Sequence, residues 1–123
     1  MPFFGPKEKT ADLSISTVIG EHTRLLGNLE GKGSLRIDGE VEGEIKIEAS
    51  LIIGPKGRVR GGVNANIITV AGRVDGDIFA KDRVELLSSA QVKGNITSTR
   101  IEMKEGAILQ GKVEIIQNAI QEP

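Results

Sequence analysis

Residues 35–53 read LRIDGEVEGEIKIEASLII, and the alternation within them is the main indication of how the chain folds. Its odd-numbered positions are apolar or small, whereas its even-numbered positions are charged or polar as far as Ser50. Such period-2 alternation indicates β-strands, but the stretch is far longer than a usual strand of about 5–6 residues. The chain must therefore bend while it keeps an inner and an outer side.

A seven-residue unit of the form small-x-aliphatic-x-Gly-x-aliphatic recurs along the chain. Its copies are GEVEGEI (39–45), GRVRGGV (57–63), GRVDGDI (72–78), AQVKGNI (90–96) and AILQGKV (107–113). The inner glycine of successive copies is separated by 18, 15, 18 and 17 residues. We interpret GNLEGKG (27–33) as an irregular earlier copy, in which glycine replaces the last aliphatic residue.

Repeats of this length predict an all-β solenoid, because helix-containing repeats need about 20–45 residues. We expect a single-stranded triangular parallel β-helix, with three short strands per coil and glycine at the corners. Stacked coils lie about 4.8 Å apart, so aliphatic side chains form ladders through the interior. The repeats predict about six coils over residues 14–116, with disordered tails at residues 1–13 and 117–123.

The alternation changes phase twice along the predicted coils. Inward positions are odd up to Ile67, even from Ile68 to Ser98 and odd again from Ile101, and we expect one extra residue, in a bulge or corner, at each shift. Two interpretations of the outward apolar positions remain open: either the corners disturb the parity and bury some of them, or they form a lateral contact surface. These positions are Ile52, Phe79, Leu87, Ile108 and Ile116.

Composition narrows the functional classes. Of the 123 residues, 38% are apolar and 27% are charged, and the net charge is −1 with both signs interspersed. This balance does not predict a nucleic-acid partner. The lack of cysteine excludes disulfides and thiolate metal sites. No apolar run approaches the roughly 20 residues of a membrane span, and the first residues lack a signal-peptide pattern, so we expect a cytoplasmic protein.

No catalytic or metal-ligating constellation stands out in the sequence. His22 is the only histidine, and a solvated surface role is favoured over the general base of a β-helix acyltransferase, because the coils lack the long insertions that shape such a site. The acidic positions Glu40, Glu42, Glu44 and Glu48 alternate with basic ones and lack a calcium-loop pattern. We expect no enzyme activity, no cofactor, no bound metal and no nucleotide.

The two ends of the predicted solenoid are apolar and have no evident capping element. Open coil ends expose unpaired backbone groups and ladder side chains, so end-to-end self-association is expected, and an open filament results if both ends are used. The predicted polymer interface comprises Val18, Ile19, Leu25, Leu26 and Leu29 at one end and Ile101, Met103, Ile108, Leu109, Val113 and Ile115 at the other.

The Phe-containing start, the Gly-rich alternating repeats and the AILQGKV ending together resemble the bactofilins, a family of bacterial cytoskeletal proteins. The resemblance implies a right-handed triangular β-helix that polymerises without nucleotide into filaments or sheets that lack polarity. It also implies a scaffold for cargo proteins of cell shape, wall synthesis or polarity. Leu109 departs from the family, whose members often carry an aromatic residue there, and predicts a softer contact. The alternative is a discrete interaction module that resembles the C-terminal β-helix of the division inhibitor MinC.

The first nine residues, MPFFGPKEK, contain two of the three phenylalanines of the chain. Phe3 and Phe4 have no use in an aliphatic core, and we interpret them, with Met1, Lys7 and Lys9, as a weak membrane-binding motif. Docking of the Phe pair on a solenoid is the alternative. The resemblance to bactofilins, whose N-termini resemble short membrane-targeting peptides, supports a peripheral location on the inner face of the cytoplasmic membrane.

Overall fold

The structure, a computed structural model, describes residues 15–116, which form fifteen β-strands and no helix. Alternating aliphatic residues and frequent glycine breaks favour short strands over helices. The strands are β1 Ile15–Ile19, β2 Arg24–Leu26, β3 Leu29–Gly31, β4 Ser34–Ile37, β5 Glu40–Glu42, β6 Ile45–Ile47, β7 Ser50–Ile53, β8 Arg58–Arg60, β9 Val63–Val70, β10 Arg73–Asp75, β11 Ile78–Leu86, β12 Gln91–Lys93, β13 Ile96–Met103, β14 Ile108–Gln110 and β15 Val113–Ile115.

The strands stack in parallel as six coils with three faces. The first face contains β1, β4, β7 and the second halves of β9, β11 and β13. The second face contains β2, β5, β8, β10, β12 and β14. The third face contains β3, β6, the first halves of β9, β11 and β13, and β15. The predicted parallel β-solenoid of about six coils is therefore confirmed, whereas the tail assignments lie outside the described residues.

Aliphatic side chains form ladders through the interior, as predicted. On the second face, Val41, Val59, Val74 and Val92 follow one another in register and are fully buried. Aliphatic residues and alanine build the rest of the core, and Ser98 is the buried polar residue among those described. Each coil therefore contributes a thin layer of similar side chains, and aromatic residues are not needed in it.

Glycines form a column at the corner between the second and third faces. Gly43, Gly61, Gly76, Gly94 and Gly111 have φ values between 140° and 154°, a region in which side-chain-bearing residues are strained. A Cβ atom on Gly76 would also overlap the carbonyl oxygen of Gly61 in the preceding coil. The central glycine of the repeat is thus required by its conformation and by the close approach of successive coils.

The glycine column begins at Gly27, which has a φ of 128°. Leu25 and Leu29, on either side of it, are in register with Val41 and Ile45. The first-coil copy of the repeat is therefore TRLLGNL, residues 23–29, and the assignment of this copy to residues 27–33 was wrong. Glycines at both 27 and 31 satisfied the pattern, and only the register between coils separates them.

The two phase shifts arise at the corner between the third and first faces. There, successive inward residues are three positions apart in two coils and four apart in the others. The short corners join Ala65 to Ile68 and Ser98 to Ile101, and the long ones join Ile47 to Leu51 and Ala80 to Val84. Each shift thus reflects a corner with one residue fewer, not the extra residue that we expected. Ile67, predicted to point inward, lies in a short corner and is only half-buried.

Candidate assembly surfaces

Each end of the solenoid is bounded by strands that pair on one side only. Among residues 15–116, β1, β2 and β3 of the first coil pair only with the second coil, and β14 and β15 of the last coil pair only with the fifth. Such edges present rows of free backbone N–H and C=O groups, which are a template for further strands. The two ends are therefore the places where the parallel stacking can continue.

The last coil presents an apolar end surface. Five of the predicted interface residues occupy the inward columns of this coil, where each continues a ladder of the core. They are Ile101, Met103, Leu109, Val113 and Ile115. Met103, Val113 and Ile115 are 47%, 44% and 51% exposed, although their counterparts one coil earlier are buried. These side chains point inward, and they are exposed because no further coil within residues 15–116 covers them.

The first coil presents a smaller apolar end surface. Ile19, Leu25 and Leu29 occupy inward columns, with Ile19 buried and the two leucines half-buried. The same surface contains Thr17, in register with Leu35, and Gly31, in register with Ile47. Reasoning from apolar residues missed these two positions, because they interrupt the aliphatic ladders. Counting backward from the glycine column would have found both.

Three predicted interface residues point away from the solenoid axis. Val18 is in register with Arg36, Leu26 with Glu42 and Ile108 with Gln91. All three are exposed on the sides of the terminal coils. They border the end surfaces and do not continue the ladders. Apolar character alone did not distinguish inward from outward positions in the terminal coils.

Charged side chains cover the second face near the first coil. Arg24 donates a hydrogen bond of 2.7 Å from Nη2 to Oε2 of Glu42 and lies 3.6 Å from Glu40. The hydrogen bond from Arg24 lowers the pKa of the Glu42 carboxyl below its ordinary value. Because these residues are in adjacent strands and their side chains remain partly exposed, their pairing supports the register of the sheet and keeps this face hydrated.

The apolar residues predicted to point outward do lie on the outer surface. Phe79 is 40% exposed, Ile108 is also exposed, and Ile52, Leu87 and Ile116 are half-buried. The interpretation that the corners bury some of these residues therefore holds in part for Ile52, Leu87 and Ile116. Lateral contact through this group stays a hypothesis.

Among the described residues, no side-chain cluster stands out as a catalytic or metal-binding site. His22 is exposed on a turn, where it has a φ of 69°, and it borders an open surface depression with Glu21, Asp38, Glu40 and Lys56. Residues 15–116 contain no cluster of three or more histidine, cysteine or carboxylate groups that could hold a metal ion. Within the same range, no helix is long and apolar enough to cross a membrane.

The predicted membrane-binding residues lie outside the described residues. Met1, Phe3, Phe4, Lys7 and Lys9 all precede Ile15, the first described position. Their role stays a prediction from the sequence.

Comparisons with a family model, with curated proteins and with solved structures all point to the same family. The family model described as "Bactofilin: Polymer-forming cytoskeletal" matches residues 17–114. The chain is 36% identical over 110 residues to bactofilin BacO of Myxococcus xanthus, a match that covers 89% of this chain and 87% of that protein. It is 34% identical to bactofilin BacP of the same organism, of which it spans 46%. The structure superposes on that of double helical filaments of the Thermus thermophilus bactofilin with a TM-score of 0.73 and 33% identity, covering 79% of this chain and 98% of the other.

Proposed function

Because the chain belongs to the bactofilin family of polymer-forming cytoskeletal proteins, we propose that its solenoids join end to end, without nucleotide, into filaments. One observation carries this proposal: within residues 15–116, the interior ladders stop at each end at strands that pair on one side only. A neighbouring chain that continues the stack satisfies the backbone groups and buries the ladder side chains together.

The end surfaces can supply enough apolar burial for this contact. Full burial of an aliphatic side chain contributes about 1.5–3 kcal/mol, and Met103, Val113 and Ile115 are each about half-exposed before assembly. Association opposes this gain with roughly 4–15 kcal/mol of lost translational and rotational freedom. Several ladder residues together with the new backbone hydrogen bonds are therefore needed, and a single charged ladder residue is expected to prevent assembly.

The experiment compares two arginine substitutions in the same strand. Leu109 points inward in the last coil, whereas Gln110 is exposed beside it. Leu109→Arg should abolish filaments in negative-stain micrographs and high-speed pellets while the far-ultraviolet circular dichroism stays that of folded β-sheet, because the charge would be buried only in the polymer. Gln110→Arg should polymerise as wild type. A wild-type protein that remains a small defined oligomer at tens of micromolar would refute the filament.

The filament is further proposed to act as a scaffold for partner proteins on the inner face of the cytoplasmic membrane. The support for this location is the composition of the first residues, in which Phe3 and Phe4 stand beside Lys7 and Lys9. A single tail of this kind would bind weakly, with about 1 kcal/mol for each lysine near anionic lipid. A filament carries one tail per subunit, and multivalency raises avidity by about 10²–10⁴.

Liposome co-sedimentation tests the membrane contact. Wild-type filaments should pellet with anionic liposomes, whereas Phe3→Ala/Phe4→Ala filaments and the non-polymerising Leu109→Arg protein should remain in the supernatant after low-speed separation. Equal binding of the double alanine variant and wild type would show that the Phe pair is not the anchor.

A further inference from the structure

Strand β3 of the first coil has one unpaired edge within residues 15–116, because it pairs there only with β6. Leu29 donates its backbone N–H to the carbonyl of Glu44. Gly31 accepts a hydrogen bond from the backbone N–H of Glu48. Alternate residues of a parallel strand direct their backbone groups to opposite edges, so the N–H and C=O of Glu30 point away from the second coil and can bond to a further strand.

The inward side of β3 has a recess at Gly31. This residue occupies the ladder position that Ile47 fills in the second coil. Apart from its chain neighbours, a Cβ atom added to Gly31 would meet only Cδ1 of Ile47 among residues 15–116, at 3.5 Å. Gly31 and Leu29 are half-buried, whereas Ile45 and Ile47 in the second coil are buried. Within the described residues, the first coil therefore has room beneath Gly31 for one large aliphatic side chain.

The chain enters the first coil close to this recess. In the later coils the chain passes from the third face to the first at one corner, where inward residues are three or four positions apart, as in Ala65 to Ile68. Thr17 is the first inward position of β1, and β1 has one extra residue relative to β4 between Ile15 and Thr17. A three-position corner and this extra residue together lead back four positions, to Leu13.

The residues before β1 have the alternation of a third-face strand. Residues 10–14 read TADLS, a period-2 pattern of polar and apolar positions. With Leu13 inward, its side chain lies beneath Gly31 in the recess, and Asp12 points outward in register with Glu30. The opposite phase is disfavoured, because it would turn the Asp12 carboxylate toward the core.

The same pattern predicts where such a strand begins. At the corner between the second and third faces, a glycine with positive φ stands two positions before the first inward residue, as Gly27 does before Leu29. The residue two positions before Ala11 is Lys9, which would be strained in that conformation. The chain therefore leaves the path of the solenoid just before Ala11, and no further full coil is formed.

We propose that residues 11–13 form a short parallel strand beneath β3, with Leu13 in the recess at Gly31, and that this N-terminal strand competes with a neighbouring chain for the edge of β3. The carbonyl of Ala11 accepts a hydrogen bond from the N–H of Glu30, and the N–H of Leu13 donates one to the carbonyl of Glu30. The disordered tail expected from the sequence is thereby shortened by three residues.

The N-terminal strand is held weakly enough to be displaced. It has only three residues, and its outward side chain, Asp12, lies beside Glu30 with Lys32 as the diagonal neighbour, so its charge adds little. A strand added to the third face alone holds a stacking neighbour about 4.8 Å away from the other two faces. Close stacking on the first coil therefore requires its release, and in this respect the inference rests on the proposed end-to-end polymer.

Disulfide formation tests the register, because the chain has no cysteine of its own. Asp12→Cys/Glu30→Cys places two Cα atoms on neighbouring strands about 4.8 Å apart, within the range of a disulfide. Asp12→Cys/Lys32→Cys is the matched control, since its Cα atoms lie diagonally about 8 Å apart, beyond that range. Mass spectrometry of the oxidised monomer should find a several-fold higher yield for the first pair. Adding Leu13→Asp to it should reduce the yield to that of the control.

The disulfide result does not depend on filament formation. Equal yields from the two pairs would indicate a tail without a fixed register and would overturn the inference. A bond that forms only between two chains would show that the segment docks on a neighbour, which also overturns it. Either result leaves the proposed polymerisation standing.

The competition is measured as the lowest protein concentration at which filaments pellet. Leu13→Asp removes the side chain from the recess and should lower this concentration several-fold relative to wild type. Thr10→Asp adds the same charge outside the N-terminal strand and should assemble as wild type. An unchanged or higher threshold for Leu13→Asp would overturn the competition. A wild-type protein that forms no filaments refutes the proposed function, and the disulfide pairs alone then decide whether the N-terminal strand exists.

Discussion

Alanine at Gly76 should destabilise the solenoid more than alanine at Gly27, although both glycines belong to the same column. A side-chain-bearing residue at the φ of 150° found for Gly76 is strained by about 1–3 kcal/mol. The new Cβ atom would also overlap the carbonyl oxygen of Gly61 and force the coils apart there. The backbone hydrogen bonds from Gly76 to Lys93 (2.8 Å) and from Gly61 to Asp75 (2.9 Å) would weaken, each worth about 0.5–1.5 kcal/mol.

These contributions predict a loss of about 2–6 kcal/mol in the free energy of unfolding for Gly76→Ala. Gly27 provides the matched control, since its φ is also positive but a Cβ atom there would meet no atom of residues 15–116 within 4 Å. Gly27→Ala should therefore lose only the strain, about 1–3 kcal/mol. The difference between the two variants isolates the overlap between coils.

The measurement is urea unfolding followed by far-ultraviolet circular dichroism. Both substitutions are made in the non-polymerising Leu109→Arg background, so that assembly does not add to the apparent stability. Equal losses for Gly76→Ala and Gly27→Ala would refute the close-approach argument. A loss below about 0.5 kcal/mol for Gly76→Ala, within the range of ordinary surface substitutions, would refute both parts of it.

Two further predictions concern polar groups. Ser98 is buried and its Oγ has no hydrogen-bond partner among the described residues, so Ser98→Ala should raise the free energy of unfolding by about 1–3 kcal/mol. Ser89→Ala should lower the free energy of unfolding by about 0.5–1.5 kcal/mol, because Oγ of Ser89 donates a hydrogen bond of 2.6 Å to the carbonyl of Ala71. Urea unfolding measures both variants, and a change of the same sign in both would contradict the distinction between an unpaired and a paired hydroxyl. Arg24→Gln should raise the pKa of Glu42 in a carboxyl-detected NMR titration, because Arg24 lowers it. A depressed pKa in the folded chain means that the contribution of Glu42 to stability is present above its unfolded-state pKa and is lost as the pH falls through the folded-state value.

The repeat made the coils predictable from the sequence. Glycine is the only residue that fits the corner between the second and third faces, so the glycines at 43, 61, 76, 94 and 111 identified five coils directly. The first coil was misassigned because no other coil of residues 15–116 packs beneath it, and its glycine is therefore not distinguished from Gly31 by close packing against an earlier coil. Periodicity determines a repeat well where each copy has neighbours on both sides, and less well at the ends.

The direction of side chains in the terminal coils was the part that the sequence could not provide. Leu25 and Leu26 are adjacent leucines, but only the pairing of β2 with β5 shows that Leu25 continues the core and that Leu26 lies opposite a charged position. The neighbours of Phe79 were likewise hidden, because Asn64 and Thr97 are 15 and 18 residues away along the chain. These contacts depend on the length of each corner, and corner lengths vary from coil to coil.

The end surfaces and the core are built from the same ladders of inward side chains, so the effect of a substitution depends on the coil in which it lies. Val92 and Leu109 occupy the same ladder in successive coils, yet Val92 is buried by the chain itself and Leu109 is only half-buried. A polar substitution at Val92 is therefore expected to perturb folding, whereas the same change at Leu109 is expected to leave the chain folded and to perturb the proposed end-to-end stacking. The position of a residue along its ladder, more than its chemical type, decides which of the two processes it controls.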